Sequence, residues 1–596
     1  MSVDGLPLEQ REAVSRAAER FLVGDSAGGR GILAPMLLGG GGQKAICWAV
    51  ARALDGAGRP ELAIGFVNAA CTFDSRDPIL WRYLAKVASA ARDRGLASEA
   101  TRRAKVAEKL RPILERLRDR EEASDDAGAL RAANQGIALD RADAALLGSA
   151  GRALLRMDRY DEAIARFEAI RRIAPDRPEA IDAIAEIARA HYGAGRLDAS
   201  IATYHAYDAA RVARYGPRTS HLASHELTEH RVISLETACA RRGARFLRIA
   251  APEPFDVVSP RYHPPFARDG MIRETSPELA VGEIERAEVL SDAACVVKDG
   301  ELILPCPGLD PALRQANVPI YTGFHRDGST LLRVPQTITA TVDRAVLVAG
   351  RASSNYFHFV LELLPRIFFA DTLTGDDSLP LLVNRGMPKQ HYEALDLVAP
   401  GRPRILLDGE SRVRVGSLVL PTLGGFIPDD TRIPLSRMMI APLSVRALRT
   451  ALLRERRRPS RRIAIARKSQ RRRCVNESIV MEALERRGFA IIDPESMTLA
   501  EQIEAFADAS VVVMTCGAAQ TNAVWMSPGA RLVVLWGESV RPSYFSELGR
   551  AAGVETVFVR GRPIPGSHVE PTHRDFEVTV EHVVDAVEAD PIRMSA

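Results

Sequence analysis

A chain of 596 residues is longer than one hydrophobic core supports, so roughly two to four domains are expected. Its 46% apolar and 26% charged residues are ordinary for a globular protein, and a net charge of +4 spread over 80 basic and 76 acidic side chains gives no general attraction to nucleic acid. Seven cysteines, odd in number and never spaced as CxxC, speak against a disulfide framework and against a structural zinc site. The opening MSVDGLPLEQREAVSRA lacks the basic and apolar regions of a cleaved signal. The longest apolar run, 356–370, contains His358, Glu362, Pro365 and Arg366 and is too short to span a bilayer. The expected location is the cytoplasm, with no transmembrane segment and with association at the inner membrane face left open.

Residues 1–215 are rich in Ala, Arg, Leu and Glu and read as an all-α domain. The phrase Met157-Asp158-Arg159-Tyr160-Asp161-Glu162-Ala163-Ile164, followed by Phe167, returns as Ala194-Gly195-Arg196-Leu197-Asp198-Ala199-Ser200-Ile201, followed by Tyr204. Gly58-Arg59-Pro60-Glu61-Leu62-Ala63-Ile64 with Phe66 is an earlier echo. The pattern resembles tetratricopeptide repeats, helix pairs that stack because none buries its apolar face alone. About four degenerate repeats are expected, with an irregular helical bundle as the alternative. Gly39-Gly40-Gly41-Gly42-Gln43-Lys44 lacks phosphate-loop spacing and reads as a flexible turn.

Residues 216–335 read as a linker and β-containing lead-in, with strands at 293–297 and 301–304 joined at Asp299-Gly300. Residues 336–450 read as a first Rossmann-like domain, with strands at 345–348, 381–383, 404–407 and 418–420 between helices through 357–369 and from Lys389. On the first helix, His358 and Glu362 are four apart and share a face, while Pro365 forces a kink. Such a pair is either a buried hydrogen-bonded couple that fixes packing or a catalytic one. A helix at 443–458, with Pro442 in its first turn, leads to the last domain.

Residues 451–596 read as a second Rossmann-like domain. Apolar runs at 463–466, 511–514 and 532–535 alternate with helices, as in a parallel sheet covered on both faces. From 454 to 473 the sequence has eleven Lys/Arg and one acid, Glu455. Arg467, Lys468 and Arg473 lie where the chain leaves the first strand, which suits a diphosphate, although basic runs are commonly solvated surface. Gly517 permits close backbone approach, and a helix at 519–526 would offer free amides to an anion; a tight turn without ligand is the alternative.

These residues carry a family resemblance. Asn355-Tyr356-x-His358, Glu362 and Leu364-Pro365-Arg366 resemble the NYxHW…E/D…LPR segment of glycosyltransferase family 61. Arg467-Lys468, Arg471-Arg472-Arg473 and Asn476-Glu477 resemble its basic stretch. Arg487-Gly488-Phe489, Asp493-Pro494-Glu495 and Glu501-Gln502 resemble its RGF…DPE…EQ run, and Gly517-Ala518, Thr521-Asn522 and Pro528-Gly529-Ala530 resemble its HGAGLTN…PPGA signature. Cys516, Ala466 and Ala519 stand where the family has histidine, serine and glycine. Cys516 reads as a packing residue at a strand end rather than a reactive thiol.

The resemblance implies an inverting, nucleotide-sugar-dependent transferase with two facing Rossmann-like domains (GT-B-like) behind the helical repeats, working on a glycan or lipid-linked acceptor in surface polysaccharide or glycoconjugate synthesis. His358 and Glu362 are the catalytic candidates, Glu362 as base held by His358 or the reverse. Arg467, Lys468 and Arg473 would hold the diphosphate, and Gly517, Ala518, Thr521 and Asn522 would shape the nucleotide pocket. The sequence has no Asp-x-Asp, and Asp376-Asp377 and Asp429-Asp430 stand in turn contexts, so metal independence and no cofactor are expected. The helical repeats offer a surface for a protein partner. The rival reading is a repeat-type scaffold whose transferase-like domain no longer reacts.

Overall fold

The computed structural model describes the chain except residues 1–7, 39–42, 123–124, 217–224, 258–260, 266–271, 291–293, 306–324, 327, 427–438, 454–458, 469–470, 538–542, 565–566, 568–572 and 590–596. The glycine run 39–42 and the Asp429-Asp430 pair therefore lie outside the described residues. The chain forms two compact units, Met1–Ala210 with Ile564–Arg574, and Arg211–Pro563 with Asp575–Ala596. Among the described residues no helix is long and apolar enough to cross a membrane.

The first unit is helical, from Leu8–Leu22 through Pro178–Gly193 and on into Leu197–Tyr215. One turn recurs along it. Gly24, Gly58, Arg92, Asp158 and Gly195 all adopt positive φ. The next residue in each case sends its amide back five positions: Asp25 to Arg20 O, Arg59 to Leu54 O, Asp93 to Ala88 O, Arg159 to Leu154 O and Arg196 to His191 O, all within 2.9–3.0 Å. That long bond and left-handed residue define a Schellman stop, which satisfies a helix-end carbonyl and redirects the chain. Gly24, Gly58 and Arg92 recur every 34 residues, the tetratricopeptide period, while Asp158 and Gly195 are 37 apart. The turn occurs at five described positions, one more than the four repeats expected.

The aromatic residue after the phrase at 157–164 has a packing reason. Phe167, on the helix Tyr160–Ile173, is buried against the helix Ala144–Arg156. A Cβ at Gly151 would fall 2.6 Å from the Phe167 ring, so the two helices meet closely only because that position has no side chain. Gly151→Val should therefore cost about 1–3 kcal/mol by overpacking, even though valine is the better helix former. A lowered thermal midpoint in the 222 nm circular dichroism of the full chain checks this.

The second unit holds two sheets. The smaller runs in the order Ala490–Ile492, Arg461–Ile465, Ala509–Thr515, Arg531–Trp536, Glu555–Arg560 and Arg261–His263, all neighbours parallel. Its central strands are mostly buried, with Arg531–Trp536 covered at every position. This explains their unbroken apolar sequence. The larger sheet has eleven strands. Arg404–Leu407, Leu381–Asn384, Ala340–Leu347 and Arg412–Pro421 are parallel. Arg412–Pro421 then pairs antiparallel with Leu279–Leu290, and the sheet continues through Cys295–Lys298, Glu301–Leu304, His225–Ser234 and Ser329–Pro335. Asp299 and Gly300 both take positive φ in the hairpin between Cys295–Lys298 and Glu301–Leu304, the geometry that such a two-residue turn needs.

Two expectations change here. The strands of 216–335 and 336–450 share one mixed sheet rather than separate ones. The lead-in also gives Arg261–His263 to the smaller sheet. The physical cause is edge pairing: Arg412–Pro421 has a free hydrogen-bonding edge that Leu279–Leu290 fills. One apolar core joins the two sheets, bringing Val346, Phe357, Phe359 and Leu381 together with Val512, Met514, Trp525 and Trp536. The six described cysteines are buried, and burial pushes the Cys71 thiol up to about 12.

Candidate active site

The chain leaves Ala340–Leu347 through the turn 349–355 and enters a short helix, Tyr356–His358, capped by the Asn355 side chain on the Phe357 amide at 3.0 Å. The next turn, Phe359–Leu363, is a π-helix. Pro365 has no N–H to continue the α pattern, and the Leu364 amide instead reaches back five residues to Phe359 O at 2.8 Å. The expected kink is thus a widened turn, after which Pro365–Thr374 resumes as α-helix.

Within this bulge His358 Nδ1 meets Glu362 Oε2 at 2.9 Å, with side chains 14% and 8% exposed. A carboxylate only accepts, so ionised Glu362 places the imidazole proton on Nδ1. The other oxygen, Oε1, is buried and has no hydrogen-bond partner among the described residues. Glu362 lines a cleft walled by Val296, Leu302 and Leu304 of the hairpin, the Gly350-Arg351 turn, Arg366 and Leu423. Arg366, buried, donates to Ala349 O at 2.7 Å and so ties the helix to the strand end. Arg351 and Arg366 were not singled out as site residues from the sequence; the Pro365-Arg366 pair in the motif was the available signal.

The second group of candidates lies at the C-terminal ends of the smaller sheet. Arg467 follows Arg461–Ile465, and its Nη1 donates to Cys516 O at 2.8 Å. Its guanidinium fills the space that a Cβ on Gly517 would need, 2.3 Å from Nη1. The glycine therefore admits the chain's own arginine. The expected helix at 519–526 is a 3₁₀ helix, Ala518–Trp525, and the Gly517 amide is already taken by Gln520 Oε1 at 3.0 Å. Burial raises the Cys516 thiol, against the pull of Arg472 and Arg467.

Other candidates are committed elsewhere. Lys468 pairs with Asp493. Arg473 grips Asp575 through its amide, Nε and Nη2 at 2.7–3.1 Å. Thr521 and Asn522 are fully buried and Ala518 is half-buried. Asn522 Oδ1 accepts from the Tyr356 hydroxyl at 2.7 Å, and its Nδ2 donates to Gln502 Oε1 at 3.1 Å. Trp525 Nε1 donates to the same Tyr356 oxygen at 3.2 Å. This network ties the His358–Glu362 segment to the turn after Ala509–Thr515. Burial raises the Tyr356 hydroxyl well above the usual phenol range, so it stays protonated and can donate. Among the described residues no group of three or more His, Cys, Asp or Glu side chains has metal-binding geometry.

Tyr356→Phe removes both hydrogen bonds without changing the packed ring. A loss of about 1–3 kcal/mol is expected, because Asn522 and Trp525 each lose a buried partner. Urea unfolding of the variant, followed by tryptophan fluorescence, measures it.

Comparisons with known proteins divide along the same lines. Several solved structures resemble part of the chain: MamA (16% identity, 33% of this chain and 97% of that one, TM-score 0.15), YrrB, described as a TPR protein with an unusual peptide-binding site (16%, 27% and 83%, 0.16), and the P58(IPK) TPR domain (10%, 35% and 61%, 0.20). No curated protein matches the chain. Residues 356–533, which begin at Tyr356 and run through the Arg467 loop and the Gly517 turn, match the family model Glycosyltransferase 61, and the match supports a glycosyltransferase.

Proposed function

We propose that this protein is an inverting glycosyltransferase that moves a sugar from a nucleotide-sugar donor to a hydroxyl of a glycan or lipid-linked acceptor in surface polysaccharide or glycoconjugate synthesis. The observation that carries the reading is Glu362: one carboxylate oxygen held by His358, the other without a partner, at the wall of a cleft. A buried carboxylate oxygen without a partner is costly, and an acceptor hydroxyl there would relieve the cost. In the proposed step the acceptor O–H gives its proton to Glu362 Oε1 while its oxygen bonds to the anomeric carbon. The bond from that carbon to the nucleoside diphosphate breaks on the opposite face, and the electron pair leaves on the diphosphate. His358 Nδ1–H keeps the carboxylate aimed.

Arg467 supplies positive charge to the leaving diphosphate, with Lys468 at the edge of the same loop. Arg473 serves Asp575 in this reading, and Thr521 and Asn522 support the turn from inside. Gly517 and Ala518 shape the pocket floor. Metal independence belongs to the proposal: turnover should survive excess EDTA. Loss on chelation with recovery on adding divalent cation would refute that part.

Glu362→Gln preserves shape and removes the base. Turnover of the productive nucleotide sugar should fall about 10²-fold or more, with nucleotide affinity within about twofold of wild type. Unchanged turnover would remove Glu362 from the mechanism. One observation favours a second reading, a repeat-type scaffold with an inactive domain: the Gly517 amide is capped by Gln520 rather than left open, beside Cys516 in place of histidine. Titration with nucleotide sugars separates the two, since a scaffold need not bind them. In either reading the stacked helix pairs provide the surface for a protein partner.

A further inference from the structure

Five described side chains of the basic run differ in what they already hold. Arg462 stacks over the Phe489 ring at 4.4 Å and donates to Arg487 O. Lys468 has Asp493, and Arg473 has Asp575. Arg467 and Arg472 are different. Neither forms an ion pair among the described residues, and the Nε of each is buried with no hydrogen-bond partner.

Arg467 reaches the Cys516-Gly517 turn, and Arg472 lies within electrostatic range of it. Arg467 bonds Cys516 O, and both arginines act electrostatically on the Cys516 thiol. Arg467 is pushed below its usual range first by burial and then by the charge of Arg472. Two carboxylates, Glu477 and Glu495, act on Arg467 electrostatically without forming an ion pair with it, and Glu477 is occupied by the Arg467 backbone amide at 3.1 Å and by the Thr515 hydroxyl at 3.3 Å. Arg472 is also held at φ 56, a left-handed conformation unfavourable for a non-glycine residue. Two like charges, partly withdrawn from water and set beside each other, are unfavourable unless an anion joins them. Arginine is the side chain whose planar fork suits phosphate oxygens.

We infer that Arg467 and Arg472 together form a dianion site at the Cys516-Gly517 turn, which takes the diphosphate of a nucleotide, with Arg472 rather than Arg473 as the second grip. The inference rests on the transferase reading for the identity of the ligand, and on the arginine geometry for the place. Arg472 was invisible as a candidate because three consecutive arginines, 471–473, look alike in sequence.

The test is isothermal titration of the full chain with UDP, GDP and inorganic diphosphate, for wild type, Arg472→Ala, Arg472→Lys and Arg473→Ala. Wild type should bind UDP or GDP, and inorganic diphosphate should compete. Arg472→Ala should weaken that binding about tenfold or more. Arg472→Lys, which keeps the charge and guards against a folding artefact, should recover part of the loss. Arg473→Ala tests the rival assignment and should weaken binding less than Arg472→Ala. No binding of any probe to wild type, or equal binding by Arg472→Ala and wild type, overturns the inference; so does a loss at Arg473→Ala that matches or exceeds that at Arg472→Ala. Nucleotide-sugar turnover that Arg472→Ala leaves intact sinks the site and spares the transferase reading. Diphosphate binding that needs Arg472, in a protein that transfers no sugar, does the reverse.

Discussion

The Tyr356 hydroxyl is the buried polar group on which the architecture of the second unit turns. It sits where two sheets share one apolar core, and a hydroxyl taken into such a place must find partners. It finds Asn522 and Trp525, both on the 3₁₀ turn that follows a strand of the other sheet. The tyrosine lies two residues before His358, and Asn522 lies five after Gly517. One satisfied network thereby sets the proposed base and the arginine turn in fixed relation. The stacked Phe359 and His391 rings, 4.3 Å apart, and the His391 bond to Ser353 O hold the same segment from its other side.

The same accounting of partners separates structural charge from available charge. Arg366, Arg473 and Asn522 each carry a motif resemblance, and each is committed to a backbone carbonyl, a carboxylate or an amide. Glu362 Oε1 and the Nε atoms of Arg467 and Arg472 are buried and uncommitted. Folded proteins rarely leave such atoms unmet, and at the proposed site an acceptor hydroxyl and a diphosphate would meet these three. The π-turn at Phe359–Leu363 belongs to this pattern, since widened turns of that kind recur at functional sites.

Much of the fold was legible because its signals are local. The recurring helix stop was visible as Gly58-Arg59, Asp158-Arg159 and Gly195-Arg196, since a left-handed residue and its following amide lie within six residues. The parallel strands were visible because a strand buried on both faces has no polar side to show. The hairpin at Asp299-Gly300 was legible from its turn residues alone. Less legible was which strands share a sheet: pairing of Leu279–Leu290 with Arg412–Pro421 joins residues more than a hundred positions apart, and no local pattern encodes it. The 3₁₀ form of Ala518–Trp525 escaped for a related reason. Arg449, on the helix Pro442–Leu452, caps the Met526 carbonyl from a distant part of the chain.

By itself the sequence determined the helical repeats, the alternation of strands and helices, the His358–Glu362 pair and the basic loop after Arg461–Ile465. Each depends on spacing along one element or on residue type. Only the tertiary structure decided which of these groups remain available for chemistry. Lys468 and Arg473 are neutralised by Asp493 and Asp575, carboxylates 25 and 102 positions away, whereas Arg467 and Arg472 form no ion pair among the described residues. The physical reason is that a charge's usefulness depends on what is folded against it, and ion pairing acts through space rather than along the chain.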